Sequence, residues 1–224
     1  MRKIVLFGNG KIADVLHSLL DGDPQLSIAG FTCDRAFVTG DKLHDLPLVA
    51  FEDVETTFPP SDYEMFVAIG YQDMNALRAE RCGLARAKGY RLASWISPRA
   101  NVPKSCVVGA NCVVMDAATV QPYARLGDGV FVWSGAVVGH HATIGDYCWL
   151  ASNSTVAGTT TLGQSCFVGV NAAIGQGISV GERAMVGAAT VITRNTEPNG
   201  VYISRDTERY RLDSDRFMKI ARLI

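Results

Sequence analysis

The sequence predicts a small α/β domain followed by a parallel β-helix, and three observations carry that reading. From residue 96 to residue 197 an aliphatic residue recurs at every sixth place, seventeen times without a break, from Ile96 and Val102 through Val138 and Ile144 to Val186 and Ile192. Four residues after each of these stands a side chain that is almost always small, as at Ala100, Cys112, Ala136, Ala142 and Cys166. Before residue 96, short apolar runs alternate with helical patterns, and the first turn between them is rich in glycine. An amphipathic helix has a spacing near 3.6 and a strand one of 2, so a strict six fits neither. It is the period of a parallel β-helix, in which three hexads make one triangular coil. Coils stacked at the inter-strand spacing of ~4.8 Å give a prism roughly 27 Å tall. No single coil buries its own apolar residues, so the period has to run on.

In chain order, residues 3–7 read as a buried strand, Gly8-Asn9-Gly10 as a tight turn, and residues 11–20 as a helix with Ile12, Val15, Leu16 and Leu19 on one face. A second strand over 27–32 ends at Asp34, and further apolar runs fill 46–51 and 65–69. A helical stretch follows from Gly70 through residue 88, and a last strand over 91–95 leads into the hexads. Such alternation argues for a small parallel sheet with helices on both faces. The expected divisions are residues 1–95, the hexads over 96–197, and a tail over 198–224. In the tail, residues 214–224 read as a short amphipathic helix with Phe217, Ile220 and Leu223 on one side. A β-helix presents unpaired strands at its ends, so the α/β domain is expected to cover one end and this helix part of the other.

The chain has 224 residues, 48% of them hydrophobic, and a formal net charge of −1. No basic patch of the kind phosphate backbones demand is present, so nucleic acid is not an expected partner. No apolar run approaches the length of a membrane span, and Gly8 cuts the first apolar run short, so a cytoplasmic location is expected. Cys106, Cys112, Cys148 and Cys166 all fall on the small position of the hexad, where cysteine serves as a small buried hydrophobe.

Two groups of residues carry candidate chemistry. Gly8, Gly10 and Ala13 spell G-x-G-x-x-A, with Asp34 twenty-four residues beyond Gly10. Bare amides at a helix N-terminus attract a diphosphate, and a carboxylate ending the second strand holds a ribose hydroxyl. A glycine needed only for the turn is the plainer reading. No further domain follows that would hold a hydride acceptor, which argues against NAD. In the prism, His140 and His141 occupy the third and fourth places of their hexad, which point outward, and histidine is suited to proton transfer near neutral pH. Steps of eighteen residues stack Pro122 and Gly158 around His140, and Tyr123 and Thr159 around His141. A glycine beside a base leaves room for a carbonyl and offers its amide to an oxyanion. The same step stacks Phe131, Trp149 and Phe167, a column suited to packing on a neighbouring subunit or on the α/β domain. Asn153 and Asn171 fall where glycine is also frequent, which a left-handed turn explains.

With GNGKIADV at 8–15 and VVGHHATIGDYCWLASNSTVAG at 137–158, the chain resembles the bacterial sugar acyltransferases of the sialic acid O-acetyltransferase type. That group includes N-acetyltransferases of nucleotide-linked amino sugars. The resemblance implies a Rossmann-like N-terminal domain holding a sugar nucleotide, a left-handed β-helix, a homotrimer, and acetyl-CoA as co-substrate between neighbouring prisms, with no metal. It implies His140 as base with His141 beside it, and the Gly158 amide as oxyanion donor. Gly8, Asn9, Gly10, Lys11 and Asp34 fall to the nucleotide, and Trp149 and Gly158 to the acyl donor. Three positions depart from the family pattern. His141 stands where a glutamate is frequent, Trp149 where a second histidine is frequent, and Val201-Tyr202-Ile203-Ser204-Arg205 replaces the usual ending. The implied reaction is acetylation of a nucleotide-linked amino-deoxy sugar for surface polysaccharide, such as lipopolysaccharide. A hydroxyl acceptor is the alternative, and a non-catalytic trimeric scaffold a second. A zinc enzyme on this scaffold needs three histidine ligands, and the prism has two adjacent ones.

Overall fold

The computed structural model describes residues 1–221. Its first part runs β1 (Arg2–Phe7), α1 (Lys11–Leu20), β2 (Leu26–Cys33), β3 (Lys42–Leu43), β4 (Leu46–Ala50), a single turn α2 (Val54–Thr57), β5 (Glu64–Val67) and α3 (Ala76–Ala87). The sheet order is β3-β4-β2-β1-β5, parallel throughout except between β3 and β4. Alternation along β1 divides two cores: Ile4 and Leu6 pack with Leu16 and Leu20 of α1, while Val5 and Phe7 pack with Phe51, Val54, Cys82 and Ala85. The fully buried residues of α1 are Ala13, Leu16 and Leu20, and the expected Ile12, Val15 and Leu19 flank them half-buried. The strand expected over 91–95 does not form. Leu92 makes one bridge to Met65, and Trp95–Ile96 is instead the first strand of the prism.

From there the chain is a left-handed parallel β-helix of two-residue strands in three sheets. Each strand lies eighteen residues from its neighbour, as in Thr119, Val137 and Thr155. The first-place aliphatics and the fifth-place small residues together fill the interior, from Cys112 and Val114 to Ala184 and Val186. At the fourth place of every hexad from Asn111 to Ala189 the backbone is left-handed, with φ between 53 and 73°. The reading of Asn153 and Asn171 extends in this way to Tyr123, His141, Tyr147 and Arg183. Such a conformation costs a side-chain-bearing residue about 1–2 kcal/mol. The amide at that place offsets the cost by donating to a carbonyl one coil earlier, as from Tyr147 to Asp128 and from Thr159 to His140.

The α/β domain does not cover an end of the prism; it packs against a side. The outward residues Val113, Met115, Phe131, Trp149 and Ala151 of the seven-stranded face join Ile4, Leu6 and Leu16 in one core. Three buried polar side chains fix the contact, one of them Asn75, whose Nδ2 donates to the Ser165 carbonyl at 3.3 Å. Asn111 accepts from the Val67 amide at 2.7 Å and donates to the Val67 carbonyl at 3.2 Å, pairing with the edge of β5 as a further strand would. Arg78 of α3, fully buried, donates to the carbonyls of Gly129, Tyr147, Ile69 and Gly70 and to Oδ1 of Asn75. Its guanidinium lies 4.6 Å from the Phe131 ring centre and 5.6 Å from that of Trp149. Burial pulls its pKa down to about 10, so the charge persists at neutral pH on carbonyl dipoles and ring faces, without a carboxylate partner among the described residues.

The seven-stranded face does not stop at residue 197. Val201–Tyr202 pairs with Met185–Val186, a step of sixteen in place of eighteen, so the strand inside the expected tail is part of the prism. Helix α4 (Ser214–Ala221) leaves Phe217 and Ile220 45% and 70% exposed, and it does not cover the prism end. Leu223, expected on its apolar side, lies outside the described residues.

Replacing Arg78 with methionine keeps apolar volume but strands the carbonyls of Gly70, Gly129 and Tyr147. It is expected to cost roughly 3 kcal/mol, read as a lowered thermal midpoint, because buried acceptors left without donors are expensive.

Candidate functional site

The nucleotide residues expected from sequence meet in one place. A cavity of about 600 Å³ at the carboxyl ends of β1, β2 and β5 is lined by Gly8, Asn9, Gly10, Lys11 and Asp34, with Phe37, Gly70, Gln72, Leu77 and Arg81 completing it. It lies at β1, where the strand order switches from β2 and β4 on one side to β5 on the other, the usual ligand crevice of an open parallel sheet. A second cavity of about 620 Å³, between Asp23 and Arg99, holds none of the candidate residues. Gly8 has φ of 132°, and a β-carbon there would stand 2.9 Å from the Ala68 carbonyl oxygen, so the turn requires glycine. Asn9 donates to the Phe37 carbonyl at 2.7 Å and ties the turn to the loop after β2. The first amides of α1 face the cavity without intrahelical partners, as at any helix start. Asp34 is gripped by Arg81 at 2.9 Å, a partner that reading the sequence missed because Arg81 looked like one more charge on a helix. Burial, and then the charges of Asp34 and Glu52, push the Cys33 thiol up to about 11, so it stays protonated.

The histidines sit elsewhere, on the exposed prism corner between the strands Val137–Val138 and Thr143–Ile144. The α/β domain covers the third sheet, so this corner is the one opposite it. Nδ1 of His140 and Nδ1 of His141 are 3.2 Å apart, a hydrogen bond that needs a proton on one and not on the other. His141 adopts the left-handed corner, φ 58°, and its ring rests on Tyr123 at 4.9 Å between ring centres. Gln121, unforeseen, accepts from the His140 amide at 2.9 Å. The signal for it lies nineteen residues back, one more than the stacking step.

Gly158 lies directly beneath the His140 ring: a β-carbon on it would stand 2.7 Å from Nε2. The neighbouring amides of Ala157 and Thr159 donate to the carbonyls of Ile174 and His140, while the Gly158 amide donates to no group among the described residues. The arrangement is a ring nitrogen and an unpaired amide side by side, the two elements that acyl transfer needs at a carbonyl. Trp149 is not part of it. It is 4% exposed, packed between Tyr71, Phe131 and Trp133 under the α/β domain, because the sixth place of its hexad faces that domain. Contrary to expectation, it therefore has no open face for an acyl donor. Among the described residues no group of three or more His, Cys, Asp or Glu is placed to hold a metal ion, and no helix is long and apolar enough to cross a membrane.

Family models agree with the coil. The bacterial transferase hexapeptide model matches residues 123–158, and the hexapeptide repeat of succinyl-transferase matches residues 159–194. No curated protein sequence matches the chain. Among solved structures it is similar to PerB of Caulobacter crescentus in complex with CoA and GDP-perosamine, with 27% identity over 90% of this chain and 93% of that one and a TM-score of 0.79. A histidine-to-asparagine variant of perosamine N-acetyltransferase from that organism, with the same two ligands, has 28% identity and a TM-score of 0.80 over the same shares. The acetyltransferase domain of PglB from Neisseria gonorrhoeae, in complex with acetyl coenzyme A, has 26% identity over 89% of this chain and 94% of that one and a TM-score of 0.78. The prism, the repeat matches and these likenesses together support an acyltransferase of the hexapeptide-repeat kind. The likeness to the perosamine N-acetyltransferase takes in 90% of this chain, and so the α/β domain as well as the prism.

Gly158→Ala keeps the backbone amide but is expected to push the His140 ring aside and lower kcat by about 10²-fold, the scale of a displaced general base, with the thermal midpoint nearly unchanged. Steady-state kinetics beside a melting curve check it.

Proposed function

We propose that the chain is an acetyl-CoA-dependent N-acetyltransferase acting on the amine of a nucleotide-linked amino-deoxy sugar. The observation that carries the reading is the unpaired Gly158 amide beside Nε2 of His140. Similarity to acetyltransferases bound to CoA and to GDP-perosamine supports the donor and the acceptor class. His140 donates its Nδ1–H to His141, leaving Nε2 bare on the Gly158 side. The acceptor amine attacks the thioester carbonyl and loses a proton to Nε2; the Gly158 amide takes up the charge that develops on the carbonyl oxygen. Collapse breaks the carbon–sulfur bond, and the proton on His140 goes to the departing thiolate.

The nucleotide sits in the cavity of Gly8, Asn9, Gly10, Lys11 and Asp34, with the diphosphate on the first amides of α1 and the Lys11 ammonium. That cavity and the His140 corner lie on opposite sides of one chain, so the sugar held by one copy is presented to His140 of another. A homotrimer supplies this arrangement, with the acyl donor between prisms. The chain works in the cytoplasm, ahead of surface glycan assembly.

Thiol release from acetyl-CoA, with GDP-, UDP- and dTDP-linked 3-amino and 4-amino 6-deoxy sugars, tests the reading. Turnover with an amino sugar is expected, and His140→Ala is expected to lower it by about 10²–10⁴-fold. Turnover only with hydroxyl acceptors would overturn the amine assignment, and no binding of acetyl-CoA would point to a scaffold. His141→Asn keeps a residue that tolerates the left-handed corner, so its expected effect is a lower kcat with an unchanged melting temperature.

A further inference from the structure

The acidic end of the nucleotide cavity holds an ion pair that the chemistry at His140 does not use. Arg81 donates from both Nε and Nη2 to a single oxygen of Asp34, Oδ2, at 3.2 and 2.9 Å, and from Nη1 to Glu80 at 2.6 Å. The other carboxylate oxygen of Asp34, Oδ1, has no partner among the described residues, in a side chain that lines the cavity. Side-chain exposures of 17% for Arg81 and 27% for Asp34 remove the pair from the class of screened surface contacts.

Arg81 is itself held in place. It lies three residues beyond Arg78 on α3, and Arg78 is fully buried on prism carbonyls. A solvated carboxylate turns freely and offers either oxygen. One whose Oδ2 takes a guanidinium fork from a fixed helix offers Oδ1 in one direction only. An acceptor with no proton of its own recognises a donor, and at the end of the second strand of such a sheet the donor within reach is a ribose hydroxyl.

We propose that Arg81 is a positioning residue for nucleoside recognition: it holds Asp34 so that Oδ1 accepts a ribose hydroxyl of the nucleoside diphosphate. This rests on the nucleotide-sugar reading of the cavity. The selectivity of the site for an intact ribose then belongs to the Asp34–Arg81 pair, and removing either partner abolishes it.

The test is calorimetric binding of UDP and GDP, and of their 2′,3′-dideoxy analogues, to the full chain. Wild type is expected to prefer the ribonucleotide by about tenfold, the scale of one hydrogen bond to a charged group. Arg81→Met is expected to bind both forms alike, at the affinity wild type shows for the dideoxy analogue. Arg81→Lys is expected to restore part of the preference, and Asp34→Asn to lose it as Arg81→Met does. A preference kept in Arg81→Met overturns the inference and leaves the nucleotide reading standing. Equal weakening of both analogues also overturns it, since Arg81 would then act on a part the two share. Wild type that binds neither UDP nor GDP removes the nucleotide reading and this inference with it.

Discussion

Each corner of the prism turns through one left-handed residue, and that single constraint sets both the architecture and the position of the chemistry. The left-handed amide at the fourth place reaches back one coil, as from His141 to Pro122 and from Thr159 to His140. The amide at the third place consequently points away from the backbone ladder. Where a side chain reaches it, it is satisfied: Asp128 caps Ala110, Asp146 caps Asp128 and Gln121 caps His140. At Gly158, as at Asp146, Ser152 and Gln164, no group among the described residues does, and of these only Gly158 stands against the His140 ring. An unpaired donor is costly in a buried strand and useful at a place where charge develops.

The same period that builds the wall also decides what lies on each face. First and fifth places fill the interior, third and fourth form the corners, and the sixth and second places face outward from each flat wall. On the seven-stranded face those places are Val113, Met115, Phe131, Trp149 and Ala151, and an apolar surface of that size has to be covered. The α/β domain covers it, and in doing so it occupies one side of the prism and leaves the histidine corner free.

Periodicity made the prism legible from residue 96 to residue 197, down to the pairing step, because a strict six fits no helix or simple strand, while left-handed corners were legible only at Asn153 and Asn171. The cavity at the carboxyl ends of β1, β2 and β5 was legible from Gly8, Gly10 and Asp34, since a glycine turn and a carboxylate at fixed places follow from the shape of a parallel sheet. What was not legible is what depends on contact between the two parts. The sequence marks Phe131, Trp149 and Phe167 as a column suited to packing on a neighbouring subunit or on the α/β domain, and only the docked structure decides for the second; the acyl-donor contact of Trp149 came from the family resemblance alone. Arg78, Arg81 and Asn111 sit in polar stretches with no distinguishing pattern, and only docking turns two of them into buried pins. The final strand, Val201–Tyr202, escaped because its step of sixteen breaks the period that revealed the others.

A domain joined to its neighbour by a buried guanidinium does not swing. Any hinge opening would carry Arg78 away from the carbonyls of Gly129 and Tyr147 and from the Phe131 ring, leaving a desolvated cation with nothing opposite it. Adaptation to a ligand is therefore confined to short loops, such as the one after β2 that Asn9 tethers at Phe37. A body that cannot flex holds the cavity beside Gly8 and the corner of His140 at fixed places on opposite sides, so any relation between the two is set by how whole copies of the chain are arranged and not by motion within one.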